Sequence, residues 1–164
     1  MADRYDKLNH NTVMASVGSM SRRWREAIRV PKPHNIEDFY TAEAAGGLVL
    51  ADEMGAAITQ TTILMNAIRT TSYLEPDPLP DLTVEAMRNE LTGERPPSAV
   101  DAIEQIAGIT DEVYRRLKDL RMADWKNEAT WGSMTISISD LAKGVSRVNA
   151  ERLARATRTL ASVN

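Results

Sequence analysis

Cysteine is absent from this 164-residue chain, and histidine and phenylalanine are almost so, with two and one copies. Without cysteine there are no disulfides, thiolate metal sites, thiol nucleophiles or thioether-linked chromophores, and the composition fits a reducing cytosol. The histidines are His10, ahead of the first expected helix, and His34, in the segment around Pro31 and Pro33. A three-histidine metal site is therefore impossible within one chain, and the zincin, Cys-His zinc and Glu-x-x-His di-iron patterns are missing. Glycine-rich phosphate loops and Gly-x-Ser-x-Gly elbows are missing too; Ala45-Gly46-Gly47-Leu48 forms neither. Long apolar runs are also lacking. The most apolar window, Leu48 to Ile68, is broken by Asp52, Glu53 and Gln60 and reads as a buried helix rather than a membrane span. The start, Met1 to Lys7, mixes charges of both signs with no apolar run behind it, so no signal peptide is expected and the location read is cytoplasmic.

What is present is an ordinary soluble composition, 43% hydrophobic and 26% charged, in a length that suits one domain over 1–164. With one Phe against eight Met, the core relies on Leu, Ile, Val, Ala and flexible Met. A formal net charge of −3 gives no general reason to expect nucleic acid.

Helical periodicity dominates, and no run of alternating strands competes with it. Val13, Val17, Met20, Trp24 and Ile28 share one face of a first helix that should stop before Pro31. Asn35 suits an N-cap, with Glu37 and Asp38 in the first turn. A single helix from Ile36 to Tyr73 would run to about 57 Å, too long for a compact domain, so a break is expected near Gly46-Gly47. The second long helix then carries Leu48, Ala51, Met54, Ile58, Thr62, Met65 and Ile68. Glu75-Pro-Asp-Pro-Leu-Pro-Asp81 is a surface connection, followed by a short helix over Val84 to Leu91 ended by Thr92-Gly93. Ser98 caps a third main helix with Ile103, Ile106, Thr110, Val113, Leu117 and Leu120 on its apolar face. The fourth starts at Ser139 and carries Leu141, Val145, Val148, Leu153, Ala156, Leu160 and Val163. The fold class expected is all-α: a four-helix bundle with long connections and one or two short extra helices.

Carboxylates at Glu43, Asp52, Glu53 and Glu151 offer oxygen ligands for a hard cation only if they converge, and they are read as solvated positions. Arg22, Arg23, Arg25, Arg29 and Lys32 gather at the end of the first helix; Lys143, Arg147, Arg152, Arg155 and Arg158 lie along the last, opposed by Glu151. Such a stripe either contacts an acidic partner or nucleic acid, or lines an exposed face. No aromatic residue interleaves with it to stack on bases, which favours the exposed face. Arg152 stands four residues from Val148 and eight from Gly144, close to the apolar stripe, where it either snorkels outward or reaches a buried carboxylate. Trp24, Trp125 and Trp131 are read as core or loop-packing residues, with Trp131 placed to roof a cavity at one end.

Three stretches carry a resemblance to a known family: Leu117-Lys-Asp-Leu-Arg-Met-Ala-Asp-Trp125, Trp131-Gly-Ser-Met-Thr, and Ser139-Asp-Leu-Ala-Lys-Gly-Val-Ser-Arg-Val-Asn-Ala-Glu-Arg-Leu153. Together with the proline-rich connection and the short helix behind it, they resemble the DinB-like, YfiT-type and mycothiol-dependent four-helix bundles. In the first half of the chain the resemblance is one of element order. It implies a divalent metal, often nickel or zinc, held by one histidine of the second helix and two of the last, and in many relatives a homodimer. The matching positions here are Gly144, Val148 and Arg152 on the last helix and Gln60, Thr62 or Asn66 on the second. With the metal-binding histidines missing, the metal-activated thiolate chemistry implied for some relatives loses its Lewis acid. No metal and no cofactor are expected. The function expected is that of a metal-free bundle acting as a small-ligand-binding or protein-interaction module, with Thr62, Asn66, Val148 and Arg152 lining its cavity. Two alternatives stand beside it. One is a metal-independent enzyme in which Arg152 holds an anionic substrate and Glu151 handles protons. The other is a helical adaptor whose basic last helix meets an acidic partner or nucleic acid.

Overall fold

The computed structural model describes residues 4–30, 34–72, 82–131 and 134–163. It is mostly helical, with one small two-stranded sheet. Four long helices, α1 (His10–Ala27), α3 (Leu50–Ser72), α5 (Ala99–Asp119) and α6 (Ile138–Val163), are joined by short α2 (Glu37–Tyr40) and α4 (Thr83–Met87). A 3-10 turn over Met122–Lys126 leads into β1 (Glu128–Trp131) and β2 (Met134–Ser137). Each long helix packs chiefly on two others: α3 lies against α5 and α6, and α1 against the same pair. Among the described residues no helix is long and apolar enough to cross a membrane.

Local chemistry explains the boundaries. Asn9 accepts from Thr12 N at 2.9 Å and starts α1 on the expected stripe of Val13, Val17, Met20 and Trp24, all buried. Asn35 Oδ1 accepts from Glu37 N at 3.2 Å, but the capping position of the single-turn α2 falls one residue later than expected, on Ile36, whose side chain makes no cap. Gly46 and Gly47, with φ of +81° and +77°, make the expected break; such backbone angles cost other residues strain. Ser98 caps α5 by accepting from Asp101 N at 3.1 Å. Glu37 reinforces that end from across the fold, its carboxylate accepting from Ala99 N and Val100 N. Ser137 and Asp140 form a reciprocal cap at the start of α6, each side chain accepting the other's backbone N–H.

Three further expectations need correcting. The segment around Trp131 contains a hairpin, antiparallel from Glu128 opposite Ser137 to Trp131 opposite Met134, where no strand was expected. Thr130, Trp131, Thr135 and Ile136 are β-formers, and four-residue strands are too short to register as alternation. The short helix ends at Met87 rather than Leu91, because Asn89 adopts a left-handed φ of +59° and turns the chain. On α3 the buried set includes Leu50, Ala51, Met54, Ala57, Gln60, Thr61, Leu64 and Ile68, while Ile58, Thr62 and Met65 are only partly buried. Small residues let two neighbours close on this helix from different sides, so one apolar stripe cannot describe it. The expected connection at 75–81 lies outside the described residues, as does the side chain of Trp131.

The core is in two parts. One groups Val13, Val17, Leu64, Val113, Leu117, Leu141, Val145 and Val148. The other groups Met20, Trp24, Leu50, Met54, Ile106, Leu153, Ala156 and Leu160. On every long helix the change from one part to the other is marked by buried polar residues or a short gap: Gln60 and Thr61 on α3, Thr110 on α5, Asn149 and Arg152 on α6. A polar layer thus crosses the middle of the protein.

Candidate functional site

Two hydrogen-bonded sets make up that layer. In the first, Trp24 Nε1 donates to Asn149 Oδ1 at 3.2 Å, and Asn149 Nδ2 donates to Thr61 Oγ1 and Val145 O, both at 3.0 Å. Trp24 and Asn149 are fully buried, so α1, α6 and α3 are tied together where the helices cross.

The second set is built on Arg152. Its Nη1 donates to Glu53 Oε2 at 3.0 Å, with both side chains under a tenth exposed. Nε donates to Asn89 Oδ1 at 2.7 Å, and Nη2 to Leu91 O at 3.0 Å and Asn89 O at 3.5 Å. Gln60 holds the same loop from α3: Nε2 donates to Asn89 Oδ1 at 2.8 Å and Oε1 accepts from Leu91 N at 3.0 Å. Asn89 Nδ2 completes the set on Glu151 Oε2 at 3.0 Å. The residues after α4 are thereby clamped across α3 and α6. Gly55 and Gly93 allow the approach, since a Cβ on Gly55 would lie 2.5 Å from Glu94 O. Half-exposed Asp52 and Arg95 pair at the far end of the loop, Nη2 donating to Oδ2 at 2.9 Å.

The four residues expected to line a cavity have separate places. Arg152 belongs to the clamp, with four of the hydrogen bonds a guanidinium's five N–H groups make taken by protein acceptors. Val148 is fully buried in the first part of the core. Thr62 donates to Ile58 O at 2.8 Å on its own helix, and Asn66 is half-buried two places beyond Leu64; no described hydrogen bond brings either to Arg152. Of the carboxylates read as solvated, Glu53 must be corrected: it is buried on Arg152. Asp52 and Glu151 pair with Arg95 and Asn89 nearer the surface, and Glu43 lies beside Gly47 in the loop before α3. Among the described residues no group of three or more His, Asp or Glu side chains converges. His10 packs edge-on against Trp125 at 4.3 Å and His34 against Phe39 at 5.6 Å.

Gly144 leads to a concavity. It lines a half-open cavity of about 160 Å³ with Val84 and Met87 from α4, Met134 from β2, and Tyr5 ahead of α1. The volume matches that of an engineered apolar cavity of about 150 Å³ that holds a benzene-sized guest. Its apolar wall is Val84, Met87 and Met134; its rim is Asp6, Arg88, Asp140, Lys143 and Arg147. Lys143 donates to Asp6 O at 3.0 Å, Asp140 caps α6, and Arg147 sits 5.4 Å from the centre of the Tyr5 ring. The Arg88 side chain has no hydrogen-bond or ion-pair partner among the described residues, its backbone N–H alone donating to Val84 O. Helical spacing pointed to Gly144 as a position, but the wall opposite it comes from α4 and β2, far off in sequence.

No known protein family, curated protein or solved structure matches this chain.

Proposed function

We propose that the chain is a four-helix bundle of the DinB-like kind that works without a metal, as a binding module for a small amphipathic molecule in the cavity beside Gly144. The observation that carries this reading is the different fate of three α6 positions spaced by four. Gly144 faces the cavity, Val148 is sealed in the core and Arg152 is locked in an ion pair. On this reading, of the three positions that match the family's histidines only the first borders a concavity, with an apolar wall and a charged rim. The pairwise packing of α1, α3, α5 and α6 supports the bundle. The guest's apolar body would rest on Val84, Met87 and Met134, and its polar end would face Arg88. A homodimer, on the resemblance, and a cytosolic location, on the lack of cysteine, belong to the same reading.

Fragment screening by NMR tests it. Shifts should gather on Val84, Met87, Met134 and Gly144, and Met87→Trp, which fills the space, should abolish them. Hits that all fall elsewhere, or persist in the filled variant, refute the reading. So does one tightly held transition metal per chain.

A further inference from the structure

A second concavity of about 380 Å³ lies on the other side of the Asn89 turn, lined by Arg4, Asn89, Glu151, Ala154, Arg155 and Arg158. Three guanidiniums face one carboxylate there. Arg152 and Glu53, immediately behind, cancel each other. Arg155 reaches Glu53 Oε2 only at 4.0 Å and remains nearly half exposed, and the Arg158 side chain has no hydrogen-bond or ion-pair partner among the described residues. Arg4 comes from a separate segment and is steadied by Tyr5, to whose hydroxyl its Nη2 donates at 2.6 Å. Glu151 offsets part of this charge, attracting Arg4, but three guanidiniums still outnumber its one carboxylate, and the excess favours an added anion. The wall is also fixed in advance. Asn89 is held by Gln60 and Arg152, and Glu151 is held by Asn89, so little ordering remains to oppose binding.

We propose that this cleft binds the phosphoryl group of a small molecule in its protonated form. The arginines supply charge-assisted donors to the phosphoryl oxygens. Glu151 is the discriminating group: Oε2 already accepts from Asn89, and the rest of the carboxylate is an acceptor that suits a P–OH and repels a bare anionic oxygen. Inorganic phosphate keeps such a proton in both of its neutral-pH forms, and a phosphomonoester keeps it in its monoanion, the minor form above its second pKa of about 6; sulfate carries none. Recognition of phosphate over sulfate therefore resides in one side chain. The cleft shares no lining residue with the cavity beside Gly144, although Arg4 of the one is bonded to Tyr5 of the other.

Isothermal titration of the full chain with inorganic phosphate, and separately with sulfate, tests the proposal at neutral pH. Phosphate should bind at least about tenfold more tightly than sulfate, the scale of one charge-assisted hydrogen bond. Arg158→Gln, at an exposed position, should weaken phosphate by about tenfold, and Arg155→Gln with it should reduce binding further. Glu151→Gln should remove the discrimination by strengthening sulfate. Circular dichroism of each variant confirms that the fold persists, and the exposed Arg158 variant keeps the test valid if the double variant does not fold. Equal affinity for the two anions overturns the proposal, as does phosphate binding indifferent to Arg158. A third result also overturns it: no phosphate binding, but retention of a duplex oligonucleotide that Arg158→Gln releases, which makes the surface a nucleic-acid contact.

Discussion

Replacing Arg152 by methionine is the sharpest test of the clamp, because it keeps an unbranched apolar stem and removes the guanidinium with its charge. Glu53 would be left as a carboxylate about a twentieth exposed, with its partner at 3.0 Å gone. Removing one member of a buried ion pair costs about 3–5 kcal/mol, mostly as the penalty of the stranded charge. Leu91 O and the Asn89 carbonyls also lose their donor, although the Asn89 side chain keeps its bond from Gln60. Arg155, 4.0 Å from Glu53, can move closer and return part of the loss, which the stranded Leu91 and Asn89 carbonyls offset, so the net expectation stays at about 3–5 kcal/mol. For a chain of this length that lowers the melting temperature by about 6–20 °C. Urea unfolding, followed by circular dichroism and by the fluorescence of buried Trp24, gives the number directly. Pairing Arg152→Met with Glu53→Leu should recover about 2–3 kcal/mol, since both charges then leave together. The effect should hardly change with salt, because a buried pair is poorly screened. A loss below about 1 kcal/mol, or strict additivity in the double variant, would refute the reasoning and return Arg152 to the set of residues available for a ligand.

Three further outcomes follow from the same contacts. Trp24→Phe should cost at least about 1–3 kcal/mol in urea unfolding, because Asn149 Oδ1 is left buried without its donor; a loss within error would detach the indole from the polar layer. Gly55→Ala places a methyl against Glu94 O and should cost about 1–3 kcal/mol while speeding hydrogen exchange at Leu91 N, and unchanged exchange would separate loop from helix. Burial, aided by the nearby Glu37 carboxylate, pushes the Tyr40 phenol up from 10.0 to about 12. The native state therefore holds its proton after the unfolded chain has lost it, so the stability it carries is whole below pH 10 and is lost between pH 10 and about 12. That loss amounts to about 2–3 kcal/mol at most, and Tyr40→Phe should flatten this alkaline segment of the stability curve; identical slopes in the two proteins would dispose of it.

The helices were legible because their information is local. Ser98 and the glycine pair at 46–47 act on neighbours a few residues away, and the stripes of α1, α5 and α6 repeat at helical spacing. The hairpin was hidden by brevity, although Gly132-Ser133 between Thr130-Trp131 and Met134-Thr135-Ile136 is a usable turn signal in sequence. The cavity beside Gly144 and the cleft beside Arg158 were hidden for another reason. Each is made by residues from segments far apart in the chain, and no periodicity links Met134 to Val84 or Arg4 to Arg158.

Arg152 shows where local reasoning divides. Its place next to the apolar stripe narrowed the choices to an exposed head group or a buried carboxylate partner, and the partner is Glu53, 99 residues away. That long reach explains why the polar layer matters to the fold. Helices faced with Leu, Val, Ala and Met pack almost equally well after sliding past one another by a turn, because apolar contact has little directional preference. Sliding α6 against α3 by one turn would carry Arg152 away from Glu53 and Asn149 away from Thr61, stranding several buried polar groups at once. The layer thus opposes wrong registers more than it stabilises the right one. It also fixes the Asn89 turn, which puts Met87 and Arg88 on one concavity and Asn89 on the other. Both candidate sites therefore take their shape from a set of hydrogen bonds in which neither ligand need take part.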